Sequence, residues 1–275
     1  MGPLLALASA ICYGLSDFVG GLVARRAPFA AVALIGQVGG LVLALAVAPM
    51  LPAAASPADL GWGALSGVGT GVGMVFLFRG LARGAMSVVV PTSAVAGVAL
   101  PVLAGVAFLG ERPALATWLG IAIAVPALWL VSRTGTATGA TAGPAVDGLI
   151  ASVGIAVQYL ALAQAGPAAG AWPLVAGRVA AILTLVPWAA FRGLRLPAAR
   201  LTLFAALSGA AAALALLCYL LATRHQLVVI AVVLSSLYPV LPVLLGIFLL
   251  RERLRTLQVC GLVTAAAAVV LLTAT

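Results

Sequence analysis

The sequence predicts an all-α integral membrane protein, with ten transmembrane helices in two inverted five-helix repeats, from its composition, its apolar runs and an internal repeat. Hydrophobic residues make up 65% of the chain and charged residues 7%, whereas a soluble domain carries about 25% charged residues to wet its surface. With a mean hydropathy of +1.28, most of the chain is expected to have lipid as its solvent. In hydrocarbon every backbone N–H and C=O must be satisfied internally, so only helices or closed barrels can span.

The apolar runs extend to about 20 residues without strand-like alternation, which favours helices over a barrel. Charges, Pro/Gly clusters and polar breaks divide them into ten predicted spans. The first five cover residues 3–24, 30–50, 60–80, 85–109 and 114–132, and the second five cover 147–166, 171–191, 200–222, 226–250 and 254–273. Residues 134–146 are rich in Gly and Thr, which is typical of a linker between a first half, 1–133, and a second half, 147–275.

The two halves repeat one another. A shift of 141 residues lays Leu241–Arg253 on Leu100–Arg112 with eight of thirteen positions identical, including a Pro, a Gly and a Glu-Arg pair. Because five helices per half is an odd number, the halves are predicted to enter the membrane in opposite directions. That inverted-repeat plan is typical of secondary transporters, whose substrate site lies between the halves near the bilayer midplane.

The loop arginines predict the orientation. Eleven of them fall on one side of the ten predicted spans, and only Arg112 and Arg224 fall on the other. The positive-inside rule places the arginine-rich side in the cytoplasm, so both termini are predicted to be extracytoplasmic. The expected location is the bacterial inner (plasma) membrane.

The distribution of charge and of reactive side chains excludes several classes of protein. The net charge of +9 comes from arginines scattered between apolar runs, which fits loop charge better than a nucleic-acid stripe. All 14 basic residues are Arg, so a P-loop lysine is absent and no ATPase motif is predicted. The chain has one His and three separated Cys, so no metal or other cofactor is predicted. The expected partners are the lipid bilayer and a small-molecule substrate, and both a monomer and a homodimer remain open.

Two charged residues fall well inside predicted spans, Asp17 in the first and Arg178 in the seventh. The shift of 141 residues relates Asp17 to Gln158 and Arg178 to Gln37. Buried membrane charges are costly unless they face a cavity or a partner, so Asp17 and Arg178 are expected to pair across the repeat axis. Either this pair lines a central cavity and binds a polar or zwitterionic solute, with Asp17 as the proton-coupling candidate, or it only locks two helices together.

Together with Gln37 and Gln158, further polar residues inside predicted spans are candidates for substrate binding: Tyr13, Ser93, Ser235 and Tyr238. Tyr13 lies one helical turn before Asp17 and shares its face. Each of these residues is equally suited to bond a neighbouring helix.

Glu111 and Glu252 resemble a catalytic pair, but they are repeat-related and are predicted at opposite membrane faces. They therefore lie about a bilayer thickness apart and cannot act on one substrate. A local role is predicted instead, on the adjacent Arg or on the N-terminal amides of the next helix. The run Gly67–Gly73 predicts close contact between helices.

The segment Pro101–Arg112 followed by Gly120, which recurs as Pro242–Glu252 followed by Gly261, resembles the fourth and fifth helices of the EamA family of the drug/metabolite transporter superfamily. Tyr13–Phe18 occupies the place of the first-helix motif of that family. The resemblance covers the whole chain and implies a transporter of ten helices in two repeats. It does not separate amino acids, other metabolites, drugs or sugars as substrates.

The predicted function is therefore secondary, ATP-independent transport of a small metabolite, amino acid or drug-like solute by alternating access, with proton-coupled efflux as one form. The superfamily's small multidrug exporters carry a membrane-embedded first-helix carboxylate that couples to protons, which is consistent with Asp17. The chain is not predicted to be an enzyme, because one His and five carboxylates, most of them at helix ends, do not form a catalytic constellation. The alternatives are a non-transporting membrane scaffold or regulator and, less favoured, a membrane-embedded enzyme.

Overall fold

The computed structural model describes residues 1–24, 26–82, 100–102, 104–107, 110–132, 142–191, 196–238, 240–241, 245 and 256–273. All regular secondary structure within these ranges is helical. The α-helices with described bounds are α1 (Gly2–Ala24), α2 (Phe29–Val47), α3 (Pro57–Ala82), α4 (Leu115–Ser132), α5 (Ala142–Ala163), α6 (Trp172–Phe191), α7 (Ala199–Ala222), α8 (Val228–Ser235) and α9 (Thr256–Thr273). Short 3-10 turns at Ala48–Met50 and Pro167–Ala169 follow α2 and precede α6.

Six stretches among the described residues are long and apolar enough to cross a membrane: Gly2–Ala24, Phe29–Met50, Pro57–Leu77, Val146–Ala163, Trp172–Phe191 and Ala199–Ala222. Helices α4 and α9 contain shorter apolar stretches, Leu115–Ala127 and Val259–Ala268. Large hydrophobic side chains such as Val42 and Leu183 remain 64% and 66% exposed, as a lipid-facing surface requires. The predicted span 85–109 lies largely outside the described residues, and the span 226–250 is described continuously only as far as Tyr238, so the count of ten spans stays a prediction.

Helix α5 begins at Ala142, which is five residues earlier than the predicted start of the second half at Asp147. Gly143 and Pro144 fall within the predicted linker, 134–146. Proline is tolerated in the first turn of a helix, where its missing N–H has no intrahelical partner, so it does not delay the start of α5.

The helices pack mainly between the two halves of the chain. Helix α3 of the first half packs against α5 and α6 of the second half, while α7 of the second half packs against α1 and α2 of the first. Helix α4 packs against α9. Each half therefore depends on the other for most of its described helix contacts.

Glycines allow the closest of these contacts. Gly67 of α3 lies directly against the backbone of Gly177 on α6, and Gly36 of α2 lies directly against Gly209 on α7. A Cβ atom at Gly67 or Gly209 would overlap the facing carbonyl group. Small residues at such positions let transmembrane helices approach and gain van der Waals contact. The predicted close contact at the Gly67–Gly73 run is confirmed.

The short helix α8 lies in the centre of the core, and Val229 to Ser235 are all buried. Its N-terminus receives the side chain of Glu111, whose Oε1 accepts the Val228 N–H at 2.6 Å and whose Oε2 accepts the Val229 N–H at 3.0 Å. The predicted local role of Glu111 on N-terminal amides is therefore correct in kind. The predicted partner was wrong, because the amides belong to α8 of the other half and not to α4, the next helix along the chain. Glu252 lies outside the described residues.

Other ionisable side chains at the helix ends are also paired. Asp59 accepts hydrogen bonds from the backbone and hydroxyl of Ser56, which caps α3, and from the Gly166 N–H at 2.7 Å. Near the opposite end of α3, Arg79 donates to Oδ1 of the buried Asp147 from Nη2 at 2.6 Å and from Nε at 3.1 Å. These contacts join the two halves at both ends of α3.

Candidate functional site

Arg178 of α6 is buried inside the bundle, with 3% of its surface exposed. Its Nη1 donates a hydrogen bond to Oε1 of Gln37 on α2 at 2.7 Å. Nε2 of Gln37 in turn donates to the sulfur of Met74 on α3 at 3.0 Å. Arg178 thus bonds the residue at its own repeat-related position, which places these two side chains where the halves meet.

The remaining donors of Arg178 are not used. Nε and Nη2 are both buried and have no hydrogen-bond acceptor among the described residues. Arg178 lines a cavity of about 10 Å³ together with Ser66, Thr70 and Gly177. A cavity of that size holds about one water molecule, so the site is closed to any larger ligand in this conformation.

Asp17 and Arg178 do not form an ion pair. Among the described residues, the ion pair between Arg79 and Asp147 at 2.6 Å involves neither of them. Asp17 keeps exposed surface, and Tyr13 and Tyr238 lie within electrostatic range of it. The expected pairing of Asp17 with Arg178 was wrong because it assumed that both residues are buried. Asp17 instead retains open surface, and Arg178 takes a neutral partner.

Gln158 of α5 holds the other part of the site together. Its Nε2 donates to the hydroxyl of Tyr13 on α1 at 2.9 Å, and its Oε1 accepts from the hydroxyl of Thr70 on α3 at 2.6 Å. Ser66, one turn before Thr70, donates to the backbone carbonyl of Gln158 at 2.8 Å. Because Ser66 and Thr70 also line the Arg178 cavity, this face of α3 connects Gln158 with Arg178.

All four tyrosines of the chain form one cluster beside this network. The ring of Tyr13 lies 6.3 Å from that of Tyr159, edge to face, and 6.0 Å from that of Tyr238. Tyr219 packs on Tyr159 at 4.6 Å and donates its hydroxyl to the Tyr159 carbonyl at 2.9 Å. Such rings offer an apolar face and a polar edge to a ligand that reaches Tyr13 or Tyr238.

Two predicted site residues are not part of this arrangement. Ser235 is fully buried, and its hydroxyl lies 3.4 Å from the carbonyl of Ala6 on α1, so it joins α8 to α1. Ser93 lies outside the described residues. The sequence analysis missed Ser66, Thr70 and Tyr219. The first two could have been found as hydroxyl residues spaced four apart beside a run of glycines, because that spacing puts them on one helix face.

The site thus combines an exposed carboxylate on α1, a partly bonded guanidinium on α6, two hydroxyls on α3 and a group of tyrosines. These groups can bind polar and charged parts of a small molecule and can hold a proton on Asp17. Within the described ranges no group of three or more His, Cys, Asp or Glu residues is arranged to hold a metal ion.

Comparison with known proteins identifies the class. The helical, two-repeat organisation is that of a membrane transporter, and the model of the EamA-like transporter family matches residues 1–133 and 145–274. The chain therefore belongs to the EamA-like transporter family, which is part of the drug/metabolite transporter superfamily. A search of curated proteins finds no match. A solved crystal structure with 16% sequence identity matches 99% of this chain and 98% of its own length with a TM-score of 0.79, which shows the same fold.

Proposed function

We propose that this protein is a secondary transporter that moves a small solute by alternating access between two inverted five-helix halves. The observation that carries the proposal is the presence of two charged side chains that are not paired with each other, Asp17 from the first half and Arg178 from the second, with Tyr13 in electrostatic range of both. A static lock between helices would be expected to pair them. Charged groups kept incomplete within a membrane are typical of substrate and ion pathways.

The packing of helices of each half against helices of the other half supports the inverted-repeat arrangement. Helices α3 and α7 are the third predicted helix of each half, and each packs against the first two helices of the other half. The contact between Gln37 and Arg178, which are 141 residues apart, lies where the repeat axis is expected. Rocking of one half against the other around such a site is the usual form of alternating access.

Asp17 is proposed to be the proton-coupling group. It lies in a membrane-spanning helix, keeps open surface and has no ionic partner among the described residues. A carboxylate in that position can bind a proton from one side of the membrane and release it on the other. The absence of lysine from the chain, and hence of a P-loop, supports an ion gradient as the driving force.

The orientation follows from the loop arginines and is part of the proposal. Their 11-to-2 distribution supports extracytoplasmic termini in a bacterial inner membrane. A reporter enzyme that is active only outside the cytoplasm should be active when it is fused to the C-terminus. Activity of a cytoplasm-specific reporter at that position would contradict the orientation.

Transport is tested in proteoliposomes with a panel of labelled amino acids, sugars and cationic drugs, with and without a pH gradient. We expect the wild type to accumulate at least one solute when the gradient is imposed. Asp17→Asn should abolish the gradient-driven part of the flux, because an amide cannot carry the proton. Asp59→Asn, which removes a carboxylate at a helix end, is the matched control and should retain gradient-driven flux.

Insertion and thermal melting of Asp17→Asn in detergent should match those of the wild type, because Asp17 makes no ion pair in the described structure. Full gradient-driven transport by Asp17→Asn would remove Asp17 from the mechanism. The absence of flux for every solute in the panel would instead favour a non-transporting membrane scaffold.

A further inference from the structure

Arg178 keeps one complete edge of its guanidinium group unused. Nη1 is bonded to Gln37, while Nε and Nη2 have no acceptor among the described residues. These two nitrogens lie on the same side of the planar group, where their N–H bonds point outward in parallel. That edge matches the two oxygens of a carboxylate, and paired N–H···O bonds of this kind are among the strongest in proteins.

The chain supplies no counter-charge for this edge within its described part. The sequence contains five acidic residues, and three of them bind groups at helix ends: Asp59, Glu111 and Asp147. Asp17 makes no ion pair with Arg178. Glu252 lies outside the described residues, and its repeat-related position is that of Glu111, at a helix end. Burying a guanidinium in a membrane protein without a counter-charge costs free energy. An anion from outside the chain would lower that cost.

The surroundings of Arg178 leave space for such a group only when the halves separate. Gly40 lies beside the guanidinium, and a Cβ atom there would come within 3.2 Å of Nε. The cavity next to Arg178 has a volume of about 10 Å³ and presents the hydroxyl residues Ser66 and Thr70. Beside it, α3 and α6 meet through Gly67 and Gly177 without interlocking side chains. Movement of α3 away from α6 at Gly67 and Gly177 would widen this cavity.

We infer that Arg178 binds a carboxylate group of the transported solute through Nε and Nη2, which makes small carboxylate-bearing molecules the substrate class. This inference rests on the transport function proposed above. Ser66 and Thr70 line the same cavity, and in this conformation their hydroxyls donate to Gln158. The fork geometry favours a planar anion with two oxygens over a spherical ion such as chloride.

The test uses proteoliposomes and pairs of labelled solutes that differ only in the acidic group, namely amino acids and the corresponding amino acid amides. The wild type should transport the acid in preference to the amide by about tenfold or more, since hydrogen bonds to a charged group contribute that much. Arg178→Gln should lose this preference. Arg178→Lys keeps the charge but not the fork, and should retain a preference that is weaker than that of the wild type. Arg26→Gln, which changes an exposed arginine, is the control and should behave like the wild type.

A binding measurement separates this inference from the transport proposal. Benzoate should raise the melting temperature of the detergent-solubilised wild type, whereas benzamide and chloride should not. If the wild type transports nothing but is stabilised by benzoate only when Arg178 is present, the carboxylate site stands and the transport proposal fails. Equal transport of acids and amides would overturn the carboxylate site and leave transport intact.

If Arg178→Gln does not fold, Gln37→Glu provides a second test, because it neutralises Arg178 without removing it. Lack of both transport and stabilisation by benzoate would overturn the inference.

Discussion

Glu111, at one end of the bundle, and Arg178, in its middle, both reach from one half of the chain to the other. The two oxygens of Glu111 are both occupied by amides of α8, at 2.6 and 3.0 Å. Arg178 uses one nitrogen on Gln37 and leaves Nε and Nη2 without an acceptor in the described structure. Buried polar groups that only stabilise a fold are nearly always satisfied. The contrast therefore separates a side chain that holds the halves together from one that we propose binds a ligand.

The two repeat-related glutamines, Gln37 and Gln158, also differ in the hydrogen bonds that they form. Gln158 corresponds to Asp17, but it bonds Tyr13 and Thr70 and makes no described hydrogen bond with Asp17. Gln37 corresponds to Arg178 and bonds it directly. The symmetry of the sequence thus does not extend to the hydrogen bonds, because the Gln158 amide, which could donate to a carboxylate, donates to the Tyr13 hydroxyl instead.

Removing the Glu111 carboxylate should give the largest loss of stability. In Glu111→Ala the Val228 and Val229 amides at the start of a buried helix lose their acceptors, which should lower the free energy of unfolding by about 2 kcal/mol or more. Thermal melting in detergent measures this loss, and Arg112→Ala, at the exposed neighbouring residue, should melt like the wild type. The protein that remains folded should keep the solute selectivity of the wild type. An unchanged melting temperature of Glu111→Ala would show that the Glu111 carboxylate does not stabilise the fold, and would contradict the comparison with Arg178.

Giving Arg178 a fixed counter-charge should change the stability by an intermediate amount, and should raise it. Gln37→Glu places a carboxylate where the amide oxygen now accepts from Nη1 at 2.7 Å, and a charge-assisted bond should raise the free energy of unfolding by about 1 kcal/mol. The same change should weaken solute binding, because Arg178 is then neutralised from within. Melting and carboxylate transport are measured together, with Gln37→Met as a variant of similar size that adds no charge. Higher stability with undiminished carboxylate transport would contradict the ligand role of Arg178.

Ser235→Ala should have the smallest effect. The hydroxyl of Ser235 lies 3.4 Å from the Ala6 carbonyl, which is a long hydrogen bond, and hydrogen bonds between membrane helices contribute about 0.6 kcal/mol. Melting should fall slightly, and the Michaelis constant for transport should not change. An altered Michaelis constant would return Ser235 to the list of substrate-binding candidates.

Parts of the site could be predicted because they depend on local chemistry. A charged residue inside an apolar run is visible in the sequence, and so Asp17 and Arg178 were found. The internal repeat relates these two residues to Gln158 and Gln37, and Gln37 is the residue that Arg178 bonds. The pairing of Asp17 with Arg178 could not be predicted correctly, because it depends on which side chain retains contact with open space. Thr70 and Tyr219 were missed because neither is unusual for a membrane helix until its neighbours are known.

The sequence by itself determined that this protein lies in a membrane, that its helices follow the apolar runs and that glycines on α3 permit close packing. Each of these follows from the solvation of residues that are neighbours in the chain. Only the tertiary structure decided that Glu111 caps a helix of the other half and that the tyrosines form one cluster. It also decided that Arg178 keeps a free edge inside the bundle. These features depend on contacts between residues that are 60 or more positions apart, and the packing of the two halves brings such residues together.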